Sequence, residues 1–128
     1  MKTFSLEAGG CTPNVFIDES KSLVEISGNS TLRDTNWFYS NLLKWIIAFN
    51  TGSSKTRVFN IKLKRINDSS SKWIGVIFSK LNTVLHDNNR EINWYLVENS
   101  RRSLATGQML KDKTNFSVNF VSQTQNYY

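Results

Sequence analysis

Residues 64–81, KRINDSSSKWIGVIFSKL, join the end of a predicted strand to the start of a predicted helix. A strand that leads directly into a helix is the repeating unit of an α/β fold. Asn67 and Asp68 are residue types that accept hydrogen bonds from the unpaired N–H groups of a first helical turn. The helix is therefore predicted to begin near Asp68 or Ser69.

Three serines open this helix, Ser69, Ser70 and Ser71, and they allow two interpretations. Either they only cap and solvate the helix end, or one of them accepts a phosphate. A phosphate would add about 1.5 to 2 negative charges beside a helix N-terminus, whose N–H groups and dipole favour anions. The turn is therefore the candidate site of regulation.

Hydrophobic periodicity on both sides of this segment predicts a sequence of short strands and amphipathic helices. The first two strands are joined by a polar turn and form an antiparallel hairpin, and each later strand–helix–strand crossover returns parallel. The predicted strands are 15–17, 23–26, 56–66, 92–96 and 116–120, and the predicted helices are 38–49, 68–85 and 104–110. This order predicts an α/β fold with a mixed five-stranded sheet and three helices.

The composition fits one globular domain. The chain has 128 residues, of which 39% are hydrophobic, so it can bury a sizeable core. We expect a single domain over 1–128, with its core at about 12–121 and a frayed tail at 122–128. No segment predicts a membrane span or a secretory signal, and the single Cys11 cannot form an internal disulfide, so a cytoplasmic location is predicted.

The net charge of +6 suggests nucleic-acid binding as an alternative function. The cations that would serve it are Lys62, Lys64, Arg65, Arg101 and Arg102. They are not interleaved with a known nucleic-acid motif, and acidic residues lie between or beside them. A solvated basic surface or an acidic protein partner is therefore the preferred interpretation.

Residues that would support catalysis or metal binding are scarce. The single His86 and the single Cys11 are far apart in the sequence, and no metal-binding, nucleophile or phosphate-loop motif is present. The paired carboxylates Asp18 and Glu19 fall in the predicted hairpin turn and fit turn chemistry. The sequence therefore predicts a protein without enzyme activity, metal or cofactor.

The sequence predicts a core position for two of the four tryptophans and leaves the other two as either core residues or exposed anchors. Trp45 and Trp94 lie on the apolar stripes of their elements, where aromatic side chains fill the core. Trp37 and Trp73 lie near helix starts and off the main stripe. They are either core residues or partly exposed anchors for a partner protein.

Taken in order, several strings in this chain resemble the SiaC family of bacterial regulatory phosphoproteins, which is related in fold to anti-sigma-factor-antagonist (STAS-like) domains. The resemblance extends over about 12–121. The matching residues are Thr12, Pro13, Gly28, Ser30, Phe38, Tyr39, Trp45, Asn67, Ser69, Ser70, Lys72, Asn93, Trp94 and Tyr95. The resemblance implies a non-catalytic regulator of cyclic-di-GMP signalling and biofilm formation.

That regulator would bind and activate a diguanylate cyclase. A kinase would phosphorylate it and release the partner, and a phosphatase would reverse the change. The resemblance places the partner-binding surface at the start of the second helix, with Asn67, Lys72 and Trp73, and at the loop around Ser30.

The chain departs from the family pattern at the phosphate acceptor, because the family's threonine falls on Asp68. Three interpretations follow. Ser69 is the acceptor, as the STAS-like frame suggests; Ser70 replaces it; or Asp68 holds the switch permanently in a phosphate-like state. An aspartate has one charge and two oxygens, so it mimics a phosphate only in part. Ser69 is the favoured acceptor.

Overall fold

The structure, a computed structural model, describes residues 3–6, 9–50, 57–84, 90–96, 101–114 and 117–122. Its strands are β1 (Thr3–Leu6), β2 (Asn14–Asp18), β3 (Leu23–Ser30), β4 (Arg57–Ile66), β5 (Arg90–Leu96) and β6 (Ser117–Ser122). Its helices are α1 (Thr35–Asn50), α2 (Asp68–Val84) and α3 (Arg101–Lys113).

The six strands form one sheet in chain order, β1-β2-β3-β4-β5-β6. Strands β1, β2 and β3 pair antiparallel, whereas β3, β4, β5 and β6 pair parallel. The predicted α/β class, the hairpin, the parallel crossovers and the three helices are confirmed. The sheet has one strand more than the five predicted, since β1 adds to its edge.

The last strand extends one residue into the segment predicted to be a frayed tail. Ser122, placed by the sequence in a frayed tail, ends β6, where it is in register with Leu96. The rest of that tail, 123–128, lies outside the described residues, as do Leu85 and Phe116 at the predicted ends of a helix and a strand.

The three helices cover one face of the sheet. Alternate strand residues such as Phe59, Ile61 and Leu63 point into this layer and are at most 1% exposed. Helix side chains at i, i+3, i+4 spacing meet them and close the core. The helix residues in the core are Phe38, Tyr39, Leu42, Ile46, Ile74, Ile77, Phe78, Leu81 and Leu110.

The other face of the sheet carries polar side chains that are half-buried or exposed. Asn60, Asn93 and Asn119 are in register across β4, β5 and β6 and form an amide ladder. Asn93 Nδ2 donates to Asn60 Oδ1 at 2.9 Å, and Asn119 Nδ2 donates to Asn93 Oδ1 at 3.1 Å. Lys62 on the same face approaches Glu25 Oε2 at 3.9 Å.

Gly28 causes an irregularity near the end of β3, two residues before Ser30. Its φ of 98° is a left-handed conformation that side chains rarely adopt, and the register with β4 shifts between Gly28 and Asn29. The shift brings Ser30 opposite Ile66, at the carboxyl ends of β3 and β4. Gly28 therefore helps to place Ser30 beside the start of α2.

The tryptophans divide between the core and the surface. Trp94 is fully buried, and Trp45 packs partly buried against the core. Trp73 is also partly buried, whereas Trp37 is 60% exposed. The core predictions for Trp45 and Trp94 agree with the structure, and of the two open cases only Trp37 is largely exposed.

Candidate functional site

Asn67 connects three segments at the carboxyl end of β4. Its Oδ1 accepts from the Ser70 backbone N–H at 2.9 Å, so Asn67 is the N-cap of α2. Its Nδ2 donates to the Leu32 carbonyl at 3.0 Å, and its backbone N–H donates to the Ser30 carbonyl at 3.0 Å. The helix start is thereby tied to the loop that follows β3, and the predicted start at Asp68 is correct.

Replacing Asn67 by alanine is expected to lower the free energy of unfolding by about 2 kcal/mol, because it removes a helix cap and leaves the Leu32 carbonyl without its donor. The control is Asn67→Asp, which keeps the capping oxygen but replaces the amide donor by a carboxylate oxygen that faces the Leu32 carbonyl. Its added charge is favourable at the helix N-terminus and offsets part of this cost, so the expected loss is about 1 kcal/mol. Urea denaturation of the three proteins measures both. Equal stability of wild type and Asn67→Ala would contradict this account.

Beneath the turn lies a buried cluster of three hydroxyl groups, Ser30, Tyr39 and Ser70, each with an exposed fraction of 0%. Ser30 Oγ donates to Ser70 Oγ at 2.8 Å and also forms a hydrogen bond with Tyr39 Oη. Burial raises the pKa of Tyr39 above its ordinary 10.0, so the phenol keeps its proton. Because the Ser30 hydroxyl donates its own proton to Ser70, the phenol is the donor to Ser30. The cluster joins β3, α1 and α2.

Asp68 and Ser69 form the exposed side of the same turn. The Asp68 carboxylate, 80% exposed, lies 3.2 Å from Arg102 Nη2 at the start of α3. Arg102 Nη1 is 3.5 Å from the Ile66 carbonyl, so the guanidinium lies against the turn. The ion pair therefore connects the turn to α3, although an exposed ion pair of this kind adds little to stability.

Trp73 links the turn to the start of α1. Its ring stacks on Tyr39 with centroids 6.4 Å apart and an interplanar angle of 12°. Its Nε1 donates to Asn36 Oδ1 at 2.8 Å. Neighbouring Lys72 is exposed and Trp73 is half-buried, so one face of the indole packs against the hydroxyl cluster while part of it contacts solvent.

The structure brings the predicted site residues together but at different depths. Asn67, Asp68, Ser69, Lys72 and Trp73 reach the surface to some degree. Ser30 and Ser70 do not, and this differs from the prediction that Ser30 contacts a partner directly. The Ser30 hydroxyl is enclosed with Tyr39 and Ser70, where it connects β3 to α1 and α2.

Sequence reasoning missed the contacts of Tyr39, Arg102 and Asn36. Tyr39 had a signal, since it is an aromatic hydroxyl on the apolar stripe of α1, where a buried O–H needs a partner. Arg102 and Asn36 had none, because each contacts a residue more than 30 positions away. Arg102 was assigned only to the nucleic-acid alternative.

The five cations of that alternative are distributed over two faces. Lys62 lies on the open sheet face with Glu25 and 4.9 Å from the Tyr95 ring centroid, whereas Arg102 lies with Asp68 at a helix start. Among the described residues no group of three or more His, Cys, Asp or Glu side chains is arranged to hold a metal ion. Within the same residues, no helix is both long and apolar enough to cross a bilayer.

A model of the family described as SiaC family regulatory phosphoprotein matches residues 6–123. No curated protein matches the chain significantly. Three structures from Pseudomonas aeruginosa share the fold. Apo-SiaC has a TM-score of 0.79 at 16% identity, covering 94% of this chain and 99% of its own.

A second SiaC structure has a TM-score of 0.81 at 15% identity and covers 96% of this chain and 100% of its own. The third is described as diguanylate cyclase SiaD in complex with its activator SiaC. It has a TM-score of 0.81 at 14% identity and covers 94% of this chain and 99% of its own. At such low identity these matches establish a shared fold.

Proposed function

Since the chain belongs to the SiaC family of regulatory phosphoproteins, we propose that it is a non-catalytic module that binds a diguanylate cyclase or a similar signalling protein. A kinase releases this partner by phosphorylating the module, and a phosphatase restores binding. Both act in the cytoplasm on one domain spanning 1–128. The description of the structural relative SiaC as the activator of SiaD supports this class of partner.

The observation that carries the proposal is the difference in depth between neighbouring serines. Ser69 is exposed in the first turn of α2, whereas Ser70 is fully buried. A kinase needs access to the hydroxyl, so Ser69 is the acceptor in this proposal and Ser70 holds the turn in place. The helix N-terminus favours the added phosphate.

Asp68 supplies a permanent single charge beside this acceptor, where the family has its threonine. Arg102 balances that charge at 3.2 Å. A phosphate on Ser69 adds nearly two further charges, and the two anions then compete for one guanidinium. Counting Asp68, Arg102 and Lys72, the docking surface changes from about +1 to about −1 when a phosphate adds roughly two negative charges, and this weakens the binding of an acidic partner by repulsion.

Ser69→Asp is expected to lower capture of the host's diguanylate cyclase about tenfold, whereas Ser69→Ala keeps it. The matched control is Ser117→Asp, an exposed serine on β6, which is expected to leave capture unchanged. Pull-downs from host lysate measure the cyclase, and phosphopeptide mapping of the native protein locates the phosphate. Equal capture by all four proteins, together with a native protein that carries no phosphate on Ser69, would refute the switch.

A further inference from the structure

A groove between α2 and α3 begins at Ser71, two residues after the proposed acceptor Ser69. It is an open groove of about 810 Å³, lined by Ser71, Lys72, Gly75, Val76, Ser79, Lys80, Thr83, Met109 and Lys113. Among the described residues that line it, three are lysines and none is a carboxylate. Val76, one of the lining residues, is 51% exposed and gives the groove an apolar surface between its lysines.

The groove is built by close packing of the two helices. Ser71 Oγ and Thr106 Oγ1 are 2.7 Å apart and join α2 to α3 at its upper end. Further along, a β-carbon at Gly75 would lie 2.9 Å from Met109 Cε, so glycine allows the methionine to cross onto α2. Met109 and Val76 then form an apolar surface, and methionine adapts readily to different partners.

Lysines precede and follow Val76 along the axis of α2. Lys72, Val76 and Lys80 are spaced i, i+4, i+8 on one face of α2, and Lys113 lies across from them on α3. Eight helical residues span about 12 Å. A partner helix with an acid, an apolar residue and a second acid at matching spacing would meet both lysines and Val76 at once.

We propose that this groove binds an acidic amphipathic helix of the partner protein. The inference rests on the proposed function in one respect, that the chain works by binding a protein. It also explains how the switch acts, because Ser71 and Lys72 line the groove directly after Ser69. A phosphate at Ser69 would repel the acidic segment at the end of its binding site.

The test uses a designed helical peptide with glutamate, leucine and glutamate at i, i+4 and i+8, the spacing that matches Lys72, Val76 and Lys80. We expect it to bind the full chain with an affinity that falls as salt rises. Lys80→Glu and Val76→Asp are each expected to weaken binding about tenfold. Lys44→Glu, which reverses an exposed lysine on α1 outside the groove, is the matched control and is expected to have no effect.

Absence of peptide binding, or binding unaffected by Lys80→Glu and Val76→Asp, would overturn the proposal. Dimerisation of the chain abolished by Val76→Asp, without peptide binding, would assign the groove to a second copy and also overturn it. Cyclase capture is measured in parallel. If wild type captures the cyclase but not the peptide, only the groove assignment fails; if it binds the peptide but no cyclase, only the proposed function fails.

Discussion

A Ser70→Asp variant is expected to lose about 3 kcal/mol or more of its free energy of unfolding, whereas Ser69→Asp changes it by less than about 0.5 kcal/mol. The Ser70 hydroxyl is fully buried against Ser30 and Tyr39. A carboxylate at this position has no cation beside it among the described contacts. It also adds atoms to a closed cluster, which typically costs about 1 to 3 kcal/mol.

The interaction of the new charge with the helix dipole opposes this loss of stability. Position 70 lies in the first turn of α2, and a negative charge near a helix N-terminus typically gains about 0.3 to 1 kcal/mol. The Ser70 backbone N–H is already bonded to Asn67 Oδ1, so the new carboxylate does not gain that donor. The burial cost is therefore larger than the dipole gain.

The loss should depend on pH with a defined sign. A buried aspartate has its pKa raised above the ordinary value of about 3.9, so the folded protein keeps a proton that the unfolded chain releases. Below about pH 3.9 the carboxyl at position 70 is protonated in both the folded and the unfolded protein, and the loss of stability is small. Above it the stability of Ser70→Asp falls by about 1.4 kcal/mol per pH unit until the folded carboxyl ionises.

Urea denaturation at neutral pH and near pH 4 separates the cost of the buried charge from the cost of the added atoms. Ser70→Ala is the second control, since it removes one hydrogen bond without adding charge and is expected to cost about 1 kcal/mol. If Ser70→Asp proved as stable as Ser69→Asp, the two serines would be equally accessible. The preference for Ser69 as the phosphate acceptor would then lose its basis.

The different depths of Ser69 and Ser70 were available from the sequence. Ser70 lies four, seven and eleven residues before Ile74, Ile77 and Leu81, so it continues the buried stripe of α2 toward its N-terminus. Ser69 precedes that stripe by one residue, which is about 100° around the helix. Helical spacing alone thus separates an accessible hydroxyl from a buried one.

The first strand was not predictable in the same way. Thr3–Leu6 has four residues and shows no alternation long enough to signal a strand. Its pairing with β2 supplies the backbone hydrogen bonds that stabilise it, and this partner is not visible in the segment itself. The Asp68–Arg102 ion pair was not predictable either, because the two residues meet only when α3 packs against the sheet.

The position of α3 depends on Trp94. This helix buries small or polar residues, Ser103, Thr106 and Gly107, with Leu110 as the exception. Trp94 Nε1 donates to Ser103 Oγ at 3.0 Å. A β-carbon at Gly107 would lie 3.0 Å from Trp94 Cγ, so the glycine lets the helix backbone contact the indole. The same β-carbon would lie 2.8 Å from Phe120 Cε1, so Trp94 and Phe120 together provide apolar surface on which α3 packs.

Trp94→Ala is therefore expected to lower the free energy of unfolding by about 3 to 5 kcal/mol, because it opens a large cavity that a helix backbone cannot fill. For a chain of this size, the melting temperature should fall by roughly 10 °C or more. The matched control is Trp37→Ala, the same change at a residue that is 60% exposed, with an expected effect within about 0.5 kcal/mol.

The same variant connects stability to function. Arg102, Met109 and Lys113 all lie on α3, so loss of the indole surface displaces both the partner of Asp68 and one side of the groove. We expect Trp94→Ala to weaken capture of the cyclase under conditions where circular dichroism still reports a folded chain. Thermal denaturation and pull-downs on the same samples test both effects. A Trp94→Ala protein within 1 kcal/mol of wild type would show that α3 is held by other contacts.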